Sequence, residues 1–231
     1  MSNTSMSETK LMALREAVNL AMSEEMRKDP DIFLMGEDVG IYGGDFGTSV
    51  GMLAEFGEKR VKDTPISEAA IAGAAVGAAI TGLRPIVDLT FMDFITIALD
   101  AIVNNGAKNN YMFGGGLKTP VTFRVASGSG IGSAAQHSQS LESWLTHIPG
   151  IKVVAPGNAN DAKGLLKSSI QDNNIVSSWN QKLFMAKKKK LHKILISIFH
   201  LEKVKSNAKE LTLLLSRMVV CWSVFLRRLK K

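Results

Sequence analysis

The sequence predicts an α/β fold in which a parallel sheet is covered by helices on both faces, giving three layers. Short apolar runs of strand length alternate with longer segments whose apolar residues recur at helical spacing. Stretches that contain glycine and proline separate these segments and mark turns. Strands that alternate with helices are typical of βαβ units, whose strands are parallel and buried on both faces.

The individual elements are predicted in chain order from their patterns. Apolar residues at helical spacing predict a first helix over 11–27, and Ser67 is a suitable N-cap for a helix over 68–81. Gly73 and Gly77 allow a close backbone approach, so this helix packs against the sheet or, at a subunit contact, against its own copy. Further helices are predicted around 52–56 and over 94–107 and 160–171, a glycine-rich loop over 36–47, and strands over 31–35, 60–63, 84–89, 121–126 and 151–154.

Charge and composition divide the chain after residue 176. Residues 1–176 hold 14 Lys+Arg and 19 Asp+Glu, whereas 177–231 hold 14 and 2, so an acidic segment precedes a basic one. All 20 glycines and all 6 prolines lie in the first segment. We therefore predict a domain over 10–176 and a separate basic tail over 177–231. The overall charge of +7 does not then indicate a nucleic-acid-binding protein.

Several classes of protein are disfavoured by composition. The single cysteine, Cys221, cannot form a disulfide framework within the chain. The first ten residues are polar and do not have the pattern of a secretory signal. The longest apolar stretch before the tail, 69–80, is shorter than the ~20 residues that span a bilayer. These features predict a cytoplasmic protein that binds neither membrane nor nucleic acid.

Seven motifs in one order carry a resemblance to a known family. They are Gly36-Glu-Asp-Val39, Asp63-Thr-Pro-Ile-Ser-Glu68, Gly82-Leu-Arg-Pro85, Phe91-Met-Asp-Phe94, Ala135-Gln-His-Ser138, Pro149-Gly-Ile-Lys-Val-Val-Ala-Pro156 and Asp161-Ala-Lys-Gly164. From about residue 10 to 176 this series resembles the beta subunit of thiamine-diphosphate-dependent 2-oxo acid dehydrogenases of the pyruvate and acetoin dehydrogenase type. The resemblance implies a three-layer thiamine-diphosphate-binding domain of the pyrimidine type, with the family's C-terminal domain missing.

The resemblance implies roles for three side chains. Glu68 corresponds to the glutamate that hydrogen-bonds N1′ of the cofactor's aminopyrimidine and promotes the tautomer that removes the thiazolium C2 proton. Phe94 corresponds to the aromatic residue that packs on the aminopyrimidine. His137 corresponds to the histidine that faces the substrate and the lipoyl arm. Without the motifs, these residues have plainer interpretations: a carboxylate favoured by the helix dipole, a core aromatic and a structural histidine.

The resemblance also implies ligands and partners. Some members hold a potassium ion, and the matching positions are Val121, Ser169, Ile170, Asp172 and Asn174. The Gly-Asp-Gly start of the family's magnesium–diphosphate motif is absent from this sequence. In heterotetrameric members the alpha subunit supplies that motif, so thiamine diphosphate is expected to be shared with an alpha subunit that holds Mg2+. A lipoyl-bearing acyltransferase component is the other implied partner.

Three interpretations of the tail are open: a basic tail for anionic surfaces, an amphipathic interaction helix from Asn207, and translation in the wrong frame. We favour the third. Residues 178–186 can be encoded so that the frame beginning at the last base of the Ser178 codon reads Leu-Glu-Pro-Lys-Ala-Phe-Tyr-Gly, which is close to the family's continuation. A frameshift near Val176 would then have replaced the C-terminal domain, and we expect weak or absent turnover from this chain.

These inferences together predict the beta subunit of a decarboxylating dehydrogenase that converts pyruvate to acetyl-lipoyl plus CO2. One alternative is an acetoin dehydrogenase beta subunit. Another, of a different class, is a non-catalytic binding protein with a basic tail. A homomeric transketolase-like enzyme is disfavoured because the diphosphate motif is absent.

Overall fold

The computed structural model describes residues 10–182, 185 and 188–191. Its strands are β1 (Lys10–Ala13), β2 (Ile32–Gly36), β3 (Val61–Asp63), β4 (Arg84–Phe91), β5 (Thr122–Ser127), β6 (Lys152–Val154), β7 (Val176–Gln181) and β8 (Lys188–Leu191). Its α-helices are α1 (Leu14–Lys28), α2 (Met52–Phe56), α3 (Glu68–Ile80), α4 (Ile95–Asp100), α5 (Ala107–Met112), α6 (Glu142–Thr146) and α7 (Ala159–Gln171).

Six strands form one sheet in the order β3-β2-β4-β5-β7-β6, and every neighbouring pair is parallel. Parallel neighbours require crossover connections, which in this fold are mostly helical. Strands β1 and β8 form a separate antiparallel pair. The predicted parallel α/β architecture is therefore confirmed.

The two faces of the sheet are buried by different helices. In β2, Phe33 and Met35 join a core with residues of α3 and α4, whereas Ile32 and Leu34 join a second core with residues of α1 and α7. The alternation follows from the two-residue period of a strand, which sends successive side chains to opposite faces. The result is the predicted three-layer arrangement.

None of the helices within the described residues is long and apolar enough to cross a bilayer.

Helix α3 begins at Glu68, as predicted, and buries one face against the sheet. Residues that include Ile71, Ala75 and Val76 are in the core. Gly73 and Gly77 lie on the outer side, where an added Cβ would meet nothing within 4 Å. Packing against the sheet is thus confirmed for one face, and a subunit contact through the glycine face stays a prediction.

The predicted helix over 94–107 is longer and less regular than expected. A 3-10 turn (Met92–Phe94), α4, a π-helix (Ala101–Gly106) and α5 follow one another without a break. The wide π segment ends at Gly106, where a Cβ would lie 2.2 Å from Ile175 Cδ1. Gly106 therefore packs closely against Ile175 at the point where the helical period changes. Sequence periodicity does not reveal this change of period.

Strand β7 was not predicted, and it lies inside the sheet between β5 and β6. It continues past Val176 through Gln181, so the first residues assigned to the basic tail complete the sheet. Trp179 is 1% exposed, and its indole N–H donates to the Ser177 hydroxyl. Lys188, Lys189 and Lys190 of the predicted basic run belong to β8, which pairs with β1. Cys221, Trp222 and the proposed helix from Asn207 lie outside the described residues.

Candidate active site

The candidate site lies at the edge of the sheet where the parallel strands end. Glu37 follows β2, Phe94 follows β4, and Glu68 opens the helix after β3. His137 lies in the loop after β5, and Lys182 follows β7. In open α/β sheets, ligands bind outside the carboxyl ends of the strands, so the fold brings the three residues singled out from sequence to the edge that suits a ligand.

Glu68 is held in a buried position by the turn between β3 and α3. It is 4% exposed although it is the first residue of its helix. The Thr64 amide donates to the Gly36 carbonyl (2.9 Å), which ties this turn to the end of β2. A carboxylate at a helix N-terminus is favoured by the helix dipole. The helix start therefore offers one buried carboxyl group to a ligand at the strand ends.

The glycine-rich loop is fixed against the same turn. The Asp63 carboxylate accepts a hydrogen bond from the Gly40 amide at 2.6 Å. A Cβ on Gly40 would lie 2.4 Å from Asp63 Oδ2, so any larger residue here would displace the Asp63 carboxylate from this contact. The Asp-Thr-Pro-Ile-Ser-Glu motif thus anchors the loop with its first residue and presents a buried carboxyl with its last.

Glu37 is a second carboxyl group in the site. Burial raises its pKa, and the nearby charges of Glu68, Asp45, Asp38 and Asp88 raise it further. Its Oε1 is buried and finds no hydrogen-bond partner among the described residues. The site therefore concentrates negative charge and leaves a buried polar atom available to a ligand. Sequence reasoning missed Glu37, and its position directly after a buried strand is the signal that could have identified it.

Phe94 and His137 belong to one aromatic cluster. The centroid of the His137 ring lies 5.4 Å from that of Phe94 and 4.4 Å from that of Phe91, both in edge-to-face arrangements. The Phe91 ring also contacts Phe94 (6.0 Å) and Phe46 (5.7 Å) edge to face. Phe94 and His137 are half-buried, so each has a packed side and a side that is open to a ligand.

The family model described as "Transketolase, pyrimidine binding domain" matches residues 10–180. The chain belongs to this family. The match runs four residues beyond Val176, into β7. Two solved structures share the fold at low identity. A split-gene transketolase, described as an inactive beta4 tetramer, has a TM-score of 0.58 at 22% identity over 74% of this chain and 52% of that chain. A transketolase from Leishmania mexicana has a TM-score of 0.61 at 17% identity over 75% and 26%.

Curated relatives are more similar in sequence. The chain is 52% identical over 165 residues to the pyruvate dehydrogenase E1 component subunit beta of Rhizobium meliloti, covering 71% of this chain and 36% of that protein. The identity to the human mitochondrial subunit beta is 48% over 165 residues, covering 71% and 46%. For the Saccharomyces cerevisiae mitochondrial subunit it is 49% over 170 residues, covering 74% and 46%. The chain thus spans less than half the length of these relatives.

The pyrimidine-binding domain fits the aminopyrimidine half of thiamine diphosphate at this edge. It provides a buried carboxyl at Glu68, an unpartnered buried oxygen on Glu37 and a half-buried ring at Phe94. Among the described residues, no group of three or more His, Cys, Asp and Glu side chains is arranged to hold a metal ion. A buried carboxyl group and a half-buried aromatic ring at one sheet edge suit an aromatic nitrogen heterocycle.

Lys182 is a site residue that sequence reasoning missed. Its side chain is fully buried, with Nζ 2.5 Å from the His137 carbonyl oxygen, to which it donates, and 3.9 Å from Asp93 Oδ2. The same Nζ lies 4.6 Å from the centroid of the Phe91 ring. Burial lowers the pKa of this ammonium group, and the charge of Asp93 opposes that effect. Because Lys182 was assigned to the tail, nothing in the sequence pattern pointed to it.

The residues matched to a potassium site lie at the opposite edge of the sheet. Val121 immediately precedes β5, and its carbonyl accepts from the Val176 amide at 3.0 Å. The Arg84 guanidinium donates to the Ile170 carbonyl (2.7 Å) and the Asp172 carbonyl (2.8 Å).

The side chains of Asp172 and Ser169 and the amide of Asn174, also matched to the potassium site, form hydrogen bonds within the chain. The Asp172 carboxylate accepts from Lys152 Nζ (2.5 Å) and from the Asn174 amide (2.9 Å). The Ser169 hydroxyl donates to the Leu165 carbonyl at 2.7 Å. A potassium ion here would share the Ile170 and Asp172 carbonyl oxygens with the Arg84 guanidinium. The site stays a prediction.

Proposed function

We propose that this chain is a beta-type subunit of the thiamine-diphosphate-dependent pyruvate dehydrogenase component of a 2-oxo acid dehydrogenase complex. The buried Glu68 carboxyl at the carboxyl edge of the sheet carries the proposal. The roughly 50% identity to subunits named pyruvate dehydrogenase E1 beta supports it. A cytoplasmic location stays a prediction, since the relatives include proteins named as mitochondrial.

In this proposal the chain supplies half of a cofactor site. Glu68 binds the pyrimidine N1′ and controls the proton at that nitrogen, and Phe94 packs on the ring. Thiamine diphosphate, when bound, supplies the electron sink for decarboxylation of a 2-oxo acid. His137 faces the substrate and the lipoyl group of an acyltransferase component. An alpha subunit supplies the Mg2+ and diphosphate contacts in a heterotetramer.

A frameshift near Val176 is part of the proposal, and the composition of β7 supports it. Parallel strands buried on both faces are usually almost continuous apolar runs. Strand β7 reads Val-Ser-Ser-Trp-Asn-Gln, and Asn180 Nδ2 is buried with no hydrogen-bond partner among the described residues. Such burial costs free energy. We therefore expect the gene to contain the family-like continuation in another frame, and this chain to have weak or absent turnover.

Co-expression with an alpha subunit tests the proposed function. Both this chain and a frame-restored chain are purified with alpha, and CO2 release from pyruvate is measured. We expect turnover from the restored chain and its loss in Glu68→Gln, while Glu58→Gln, at an exposed position, keeps it. A restored pair that releases no CO2 from pyruvate would contradict the proposal, and activity only with acetoin would favour the acetoin dehydrogenase alternative.

The alternative of a non-catalytic binding protein is tested by deletion. Because β7 belongs to the sheet, the deletion has to begin after β8 and remove residues 192–231. Salt-sensitive binding to nucleic acid or to anionic vesicles that this deletion abolishes would favour the alternative.

A further inference from the structure

Strand β4 contains a bulge directly before the aromatic cluster. Asp88 pairs with Arg124 and Phe91 with Ala126, so three steps along β4 correspond to two along β5. Thr90 lies between Asp88 and Phe91, in the bulge, and has a φ of 58°. A β-branched residue in the left-handed region is an uncommon and strained conformation. Such bulges re-aim side chains and are enriched next to active sites.

The bulge changes the face on which Phe91 lies. Ile86 belongs to the core on the α1 and α7 face, whereas Val87 and Leu89 belong to the core on the α3 face. Uninterrupted alternation would send Phe91 to the α3 face with Leu89. Instead Phe91 pairs with Ala126, which belongs to the α1 and α7 core. The Phe91 ring consequently meets Phe46, which packs against that same core.

A buried ion pair holds the bulge in place. Asp88 Oδ1 accepts from the Thr90 amide at 3.0 Å, and Asp88 Oδ2 accepts from Arg124 Nη1 at 2.8 Å. The Arg124 side chain is 3% exposed. On the other side, Gly36 pairs with Asp88, and a Cβ there would lie 2.3 Å from the Asp88 carbonyl oxygen. Neighbouring strands on both sides therefore fix Asp88 and, through it, the strained residue.

We propose that Phe91 is the positioning residue for His137 and Phe94, and that the Thr90 bulge brings it there. Phe91 is the ring that both residues contact edge to face. Edge-to-face contacts between aromatic rings prefer defined orientations. Phe91 thereby limits the orientation of the His137 ring, while Lys182 anchors that residue's carbonyl group.

The catalytic consequence rests on the proposed function. With the ring of Phe91 removed, His137 rotates more freely and reaches its productive orientation less often. Misplacement of a reacting group by about 1 Å costs about a hundredfold in rate. We expect Phe91→Leu in a frame-restored chain with alpha to lower kcat by about tenfold to a hundredfold, with KM for pyruvate little changed.

The structural part is tested by NMR of the full chain without any cofactor. The imidazole signals of His137 are assigned from their loss in His137→Gln and then compared between variants. Phe91→Leu is expected to shift them, because the ring current of Phe91 is lost. Phe33→Leu, the same substitution in the α3-face core, is the matched control and should leave them in place.

Two further variants separate positioning from general damage to the fold. Phe91→Tyr keeps the aromatic ring, so the His137 signals of this variant should lie where they do in the unsubstituted protein. Thr90→Gly accepts the positive φ without strain and should also leave the signals unchanged. Unshifted His137 signals in Phe91→Leu, or shifts of equal size in Phe33→Leu, would overturn the inference whatever the activity. An inactive wild-type restored pair would contradict only the proposed function.

Discussion

Replacing Trp179 by alanine tests whether the start of the predicted tail is part of the folded domain. Trp179 is 1% exposed in β7 and belongs to the core on the α3 face of the sheet. A buried aromatic side chain contributes about 150–250 Å2 of burial, which at ~25 cal/mol per Å2 corresponds to about 4–6 kcal/mol. Substitutions of buried tryptophan by alanine cost about 3–5 kcal/mol. We therefore expect Trp179→Ala to lower the free energy of unfolding by about 4 kcal/mol.

Urea unfolding of the full chain, followed by circular dichroism, measures this loss. Trp144→Ala is the matched control, because Trp144 is 50% exposed in α6 and should cost below about 2 kcal/mol. Trp179→Phe keeps most of the apolar area and loses the hydrogen bond to Ser177, so about 1–2 kcal/mol is expected. A loss in Trp179→Ala no larger than that in Trp144→Ala would refute the packing of β7.

The remaining predictions concern charge and helix propensity. Glu68→Gln removes a like charge and should lower the pKa of Glu37, read by carbon NMR titration; an unchanged or higher pKa would contradict the shared site. Because folding raises the pKa of Glu37 from 4.5, the contribution of this group to stability is lost as pH rises through the raised pKa. The free energy of unfolding of the unsubstituted protein minus that of Glu37→Gln should therefore fall as pH rises above 4.5; a difference that does not change with pH would count against it. Arg124→Met leaves the Asp88 charge unpaired and should cost about 3–5 kcal/mol in urea unfolding; a loss below about 1 kcal/mol would mean that the pair is not buried as described. Gly73→Ala meets no neighbouring atom and should raise the free energy of unfolding by about 0.5–1 kcal/mol; destabilisation would mean that the outer face of α3 is occupied.

Most of the sheet was predictable because its strands carry strong local signals. The predicted strands over 31–35 and 84–89 are β2 and β4 with their ends displaced by one or two residues. Both are buried and contain short apolar runs, Ile32–Met35 and Pro85–Val87, which favour parallel strands. Strand β7 lacks that pattern, and its place in the sheet comes from pairing with β5 and β6. Tertiary context decided its conformation where composition pointed elsewhere.

The site was predictable to the extent that motifs carried it. Glu68, Phe94 and His137 were singled out through the family resemblance, and all three lie at the carboxyl edge of the sheet. Glu37 stood in a quoted motif without a role, because burial and like charges in space do not appear in the sequence. Lys182 was invisible for another reason: its contacts come from residues 45 or more positions away along the chain.

The bulge in β4 illustrates a third kind of limit. Nothing in the run from Arg84 to Phe91 indicates an extra residue, and two-residue alternation predicts the wrong face for Phe91. The amide of the strained Thr90 donates to Asp88, which Arg124 on the neighbouring strand holds. Long-range ion pairs of this type are set by register, which follows from the assembled sheet.

In the proposed function, Glu68 controls the proton chemistry of thiamine diphosphate in a complex with an alpha subunit. The most direct measurement is the rate of hydrogen–deuterium exchange at the thiazolium C2 of the bound cofactor, followed by proton NMR in the frame-restored pair. We expect exchange that is fast in the unsubstituted protein and in Glu58→Gln, and slow in Glu68→Gln. Exchange that is equally fast in Glu68→Gln would contradict it.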